Sequence, residues 1–206
     1  MKSTIFVLAL IGIAVVVRRM LFVLHPPAVA VGVDVGFAAH PALTMAHIVP
    51  GLLFMVLAPL QLLRSLRTRR PAWHRWAGRV VVAAALVIGV TALVMSPQMA
   101  IGGLLETAAT SFFGALFLYS LARGFVAIRR GNIAEHRIWM IRMFAVGIAV
   151  AAIRPIVGIF FATARLTHLT PHDFFGIAFW LGFTGTILAA ELWLRRKLAI
   201  TPRHRA

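Results

Sequence analysis

The chain has no cysteine in 206 residues, only five acidic residues, and a single tyrosine. Without thiols it can build neither a disulfide framework nor a thiolate metal centre. Five carboxylates are too few for an all-oxygen metal cage or a glycosidase pair. No Walker loop, dinucleotide fingerprint, HExxH string or nucleophile constellation is present. Polar helix faces, which a soluble domain of this length would show, are also missing.

What fills the chain instead is apolar. The hydrophobic residues make up 61% of it, gathered in runs of about 20 residues, the length that crosses a hydrocarbon core. The fold class is therefore all-α, a polytopic membrane helix bundle. Six spans are expected, at about residues 4–24, 43–63, 80–97, 105–128, 138–162 and 174–194. The formal charge of +16 would suit nucleic acid, but its distribution does not. Of the 21 Lys and Arg, 17 lie at Lys2, in Arg64–Arg79, in Arg123–Arg142 and in the tail from Arg195 to Arg205. That is the positive-inside pattern. It predicts a multi-pass protein of the cell inner membrane, with both termini and both basic turns in the cytoplasm, and no nucleic-acid partner. The organisation expected is an N-terminal membrane helix (1–30), a helix-bundle domain (40–194) and a basic cytoplasmic tail (195–206).

The first span carries Arg18-Arg19 near its outer end, tolerable only if the side chains snorkel or face protein. Ala28-Val29-Ala30 has the small-residue spacing of a signal-peptidase site. The arginine pair lies between that site and the apolar run, which favours an uncleaved helix.

Two segments are alike. One runs from His47 through Arg64, Arg69 and Arg70 to His74-Arg75; the other runs from Ser111 through Arg123, Arg129 and Arg130 to His136-Arg137. Each reads as apolar helix, basic turn, His-Arg, apolar helix. The bundle core is expected to be two like hairpins pointing the same way, related by an axis along the membrane normal. His74 and His136 become equivalent residues at similar depth.

These strings resemble the bacterial membrane proteins of the domain of unknown function 2306 family. The likeness is carried by AHIVPGLLFMVLAPLQLLR from Ala46, WHRWAGRV from Trp73, RRGNIAEHRIWMIRMFAVGIAVAAIR from Arg129 and AAELWL near the last span, over roughly residues 40–194. It implies a membrane fold and a set of positions of interest, not a reaction.

His74 and His136 admit three readings. They are metal ligands in the first, binding haem b as axial imidazoles with Arg75 and Arg137 on the propionates. The walls would be Trp73, Trp76, Trp139 and Met140. In the second, the His-Arg pairs hold anionic lipid headgroups. In the third, each histidine bonds the basic turn and has no ligand. On the outer half, His47 and Arg154 are expected side by side as further cofactor-binding residues, because Arg154 lies about 18 Å beyond Arg142 along its helix. Near the basic side an Arg142–Glu191 pair is expected, since Glu135 is the other acid there. His40, His168, His172 and Asp173 form a weaker candidate metal cluster. Two functions stand against each other: a b-type haem or quinone redox protein, and a non-enzymatic assembly or scaffold factor that binds lipid, metal or a partner complex.

Overall fold

A computed structural model describes residues 2–200. The described residues form helices and no strand. In chain order these are α1 (Lys2–Leu24), α2 (Val35–Ala39), α3 (Pro41–Gln61), α4 (Arg64–Arg69), α5 (Pro71–Met99), α6 (Gly103–Arg129), α7 (Ile133–Thr167) and α8 (Pro171–Ile200). Six of them are long and apolar enough to cross a membrane, matching the six expected spans. The last six residues of the basic tail, with His204, lie outside the described residues.

Helix ends follow local chemistry. Pro41 and Pro71 open α3 and α5, where a missing N–H costs no hydrogen bond. Asn132 caps α7 by accepting from the Glu135 N–H at 3.1 Å. Two helices start earlier than hydropathy suggested. The arginines at 75, 79, 137 and 142 lower the mean hydropathy of the first turns, yet the backbone there is already helical. His74 and His136 therefore stand inside α5 and α7 rather than in turns. At the far end α7 continues to Thr167 and closes at His168, a non-glycine residue with φ of 56°.

Helices α3 and α5 form one hairpin, α6 and α7 the other, and α5 packs on α6. Helix α1 lies against both α3 and α7 and closes the remaining side, while α8 lies in the groove of α6 and α7. Phe54 occupies the middle. Its ring, 2% exposed, stands edge-on to Phe117 at 6.0 Å and stacks on Phe144 at 6.2 Å. Without a water-driven force between helices in lipid, such interlocking rings and close approaches hold the bundle together. Gly147 passes so close to Phe54 that a side chain there would meet the ring. Large apolar side chains such as Leu10, Leu86, Phe112 and Leu188 point outward, as a lipid-facing surface requires.

The arginine pair of α1 faces protein. Arg19 bonds Asp34 at 2.6 Å and lies 3.8 Å over the Phe37 ring. Arg18 reaches the same carboxylate at 3.3 Å from a more exposed position.

Candidate functional site

His74 and His136 are each the fourth residue of their helix. Each donates its backbone N–H to the N-cap carbonyl at 3.0 Å, His74 to Arg70 and His136 to Asn132. Their side chains differ. His136 Nδ1 lies 2.8 Å from the Gly124 carbonyl. A carbonyl only accepts, so Nδ1 carries a proton, and in the neutral ring Nε2 keeps its lone pair. His74 Nδ1 is buried and has no partner. The reason lies one helix back. Helix α6 continues past Gly124 to Arg129, so its carbonyl is in place for His136. Helix α3 stops at Gln61, and the chain turns at Leu62 and Leu63 into α4. The carbonyl at the same separation from His74, that of Leu62, has already left the helix.

Two further buried polar atoms in the same half lack a partner, Gln61 Nε2 and Ser120 Oγ. Gln61 Oε1 lies 3.5 Å from the point where a Cβ on Gly78 would sit, and Gly78 is one turn beyond His74. Ser120 is one turn before Gly124 on α6. A charge on His136 would be felt at His74, so the two rings are neighbours. Buried polar groups nearly always find a partner, and these three orphans in the basic half of the bundle are candidates for a polar ligand or water.

The other residues singled out from sequence do not all gather here. Arg75 and Arg137 are exposed, and Arg75 lies close enough for its charge to be felt at His74. Trp76 is 58% exposed, and Trp139 packs edge-on to Tyr119 at 5.4 Å. These tryptophans do not enclose a flat slot beside the histidines. His47 and Arg154 are not bonded to each other. His47 Nδ1 meets Thr91 Oγ1 at 2.9 Å, while the Thr91 hydroxyl donates to the Val87 carbonyl at 2.6 Å. The hydroxyl's proton is thus committed, and His47 is the donor. The charges acting on Arg154 are those of Arg19, Glu106 and Arg18, and its Nε is buried without a partner. Equal depth fixes height along two helices but not the direction each residue faces. Asp173 is engaged by Thr170, whose N–H and hydroxyl reach it at 2.8 and 2.6 Å. Among the described residues no three His, Asp or Glu side chains converge as a metal site.

Arg142 and Glu191 do pair, as the scarcity of acids required. Nε and Nη2 of Arg142 reach the two carboxylate oxygens at 2.5 and 3.1 Å. This pair belongs to a larger network that the sequence reading missed. Arg123 bonds Glu135 at 2.8 Å and the Tyr119 hydroxyl at 3.0 Å. Trp139 Nε1 donates to Glu135 at 3.2 Å. The guanidinium carbons of Arg142 and Arg123 lie 4.6 and 4.9 Å from the Trp139 ring centre. The signal was present as i, i+4 spacing of Tyr119 with Arg123 and of Glu135 with Trp139. Beside the network a cleft of about 570 Å³ opens between α6, α7 and α8.

A family model described as predicted membrane protein (DUF2306) matches residues 44–194. No curated protein and no solved structure matches the chain.

Proposed function

We propose, for a chain that belongs to the predicted membrane protein (DUF2306) family, a redox role in which a quinone ring is held between the two hairpins beside His74 and His136. The observation that carries the proposal is the set of unpartnered buried atoms in the basic half of the bundle: Gln61 Nε2, His74 Nδ1 and Ser120 Oγ. An amide N–H and a hydroxyl are donors, and a quinone offers two carbonyl oxygens as acceptors. A bound quinone supplies two-electron, two-proton carrier chemistry. The protein's part is to orient the ring through Gln61 and Ser120 and to hold a proton at His74 Nδ1. His136, bonded to Gly124 through Nδ1, offers Nε2 as an acceptor when its ring is neutral.

That lone pair also favours a second reading, haem b with His136 Nε2 and His74 as axial ligands. The exposure of Trp76 removes one of the walls expected for that reading. The proposal includes the cellular setting: an inner-membrane protein with the basic end in the cytoplasm, since the basic stretches Arg64–Arg79 and Arg123–Arg142 lie there.

Titrating the purified protein with a short-tailed benzoquinone tests the site through quenching of tryptophan fluorescence. Saturable quenching is expected, with Gln61→Leu and Ser120→Ala each weakening binding by about tenfold, the worth of one hydrogen bond to a buried donor. Unsaturable quenching that is identical in all variants refutes the quinone site. A reduced-minus-oxidised haem band that disappears in both His74→Ala and His136→Ala would transfer the site to haem. With neither result, the chain is the non-enzymatic assembly or scaffold factor that sequence left as the alternative.

A further inference from the structure

We infer that the cleft between α6, α7 and α8 is a binding site for one anionic phospholipid, with its phosphate at Arg195 and Arg142 and an acyl chain along Ile138 and Leu194. Cleft volume, charge and wall chemistry converge on this ligand. At about 570 Å³ the cleft takes a headgroup and the upper part of a chain. Three arginines and two glutamates line it, and both carboxylates are engaged within the protein. Glu135 accepts from Arg123, Asn132 and Trp139. Glu191 takes both oxygens to Arg142. Arg195, exposed one turn beyond Glu191, makes no hydrogen bond or salt bridge among the described residues and acts on Glu191 only through space. The surplus is one positive charge, the complement of a phosphodiester.

The walls are set before any ligand arrives. Trp139 is flanked by the Arg142 and Arg123 guanidinium groups and braced edge-on by Tyr119. Such preorganisation lowers the ordering cost of binding. The cleft lies at the basic end, where α7 begins at its Asn132 cap, so a lipid headgroup and the helix ends share one level. It does not include His74 or His136, and its occupancy is independent of the quinone proposal.

Native mass spectrometry of detergent-purified protein tests this with added phosphatidylglycerol, phosphatidylcholine or inorganic phosphate. One retained phosphatidylglycerol per chain is expected, held about five-fold more strongly than phosphatidylcholine, the effect of one basic residue near an anionic headgroup. Arg195→Gln should remove that preference, and Ala134→Trp, a substitution at an exposed position on the cleft wall, should block retention of both lipids. Arg69→Gln, exposed on α4 away from the cleft, should leave the one-lipid adduct intact. Equal losses in Arg195→Gln and Arg69→Gln would show general surface attraction and overturn the site. Equal retention of both lipids would do the same. So would inorganic phosphate displacing phosphatidylglycerol completely, which would mark a free-anion site.

Discussion

Replacing Gly147 with alanine should destabilise the bundle through a single contact, and removing the contacted ring should convert the same methyl into a repair. A Cβ at position 147 would sit 2.6 Å from Cε1 and Cζ of Phe54 and 3.2 Å from Cε2 of Phe117. Ordinary carbon contact begins near ~3.5 Å, so the Phe54 ring must retreat by roughly an ångström. It has little room, being 2% exposed and held between Phe117 and Phe144. Overpacking of this kind costs about 1–3 kcal/mol. Phe54→Ala alone leaves a cavity and should cost about 3–5 kcal/mol. In the double variant the methyl partly fills that cavity, so the combined loss should fall short of the sum by at least about 1 kcal/mol. Unfolding of purified protein by sodium dodecyl sulfate in mixed micelles, followed by circular dichroism, measures all three. Additivity to within about 0.5 kcal/mol would refute a direct clash, because that is how independent sites behave.

Three further outcomes are expected. A cysteine at Ser65, the only one in the chain, should resist an impermeant maleimide in intact cells and react after permeabilisation; labelling from outside reverses the proposed orientation. Glu191→Met should cost about 1–3 kcal/mol by leaving Arg142 unpaired, and adding Arg142→Met should recover part of it; the lower end is expected because these side chains are 32% and 29% exposed, and a further loss in the double variant would contradict the pairing. Asp34→Asn should lower the unfolding free energy by about 1 kcal/mol through Arg19, whereas Arg18→Gln should change nothing measurable in the same assay, since that side chain is 64% exposed.

Hydropathy revealed six spans because membrane thickness imposes a run length that composition reports directly. The Arg142–Glu191 pair was readable for a different reason: with five acids in the chain, a membrane arginine has few partners to choose from. The matched positions of His74 and His136 followed from matched strings. What stayed hidden depended on direction around a helix axis. Lipid-facing and protein-facing apolar surfaces share one composition, so nothing in α1 announces that it closes the side between α3 and α7. The same ambiguity set His47 on Thr91 instead of Arg154. A run of arginines does not distinguish a separate helix such as α4 from the continuing end of α6, and that distinction decides which histidine finds a carbonyl.

The early end of α3 reaches further than one missing hydrogen bond. Hairpins alike in sequence would be expected to carry two interchangeable imidazoles, each equally able to take either tautomer. Because α6 outlasts α3, one ring is locked and the other is not. His136 is bound to a carbonyl that only accepts, so its proton exchange is confined to Nε2. His74 has no such anchor at Nδ1 and can switch tautomers without breaking a bond. The difference amounts to a ratchet tooth in an otherwise symmetric pair. In the proposed redox site, a proton passed between these rings would meet different starting conditions in each direction, and the asymmetry is written in the length of a neighbouring helix rather than in either histidine.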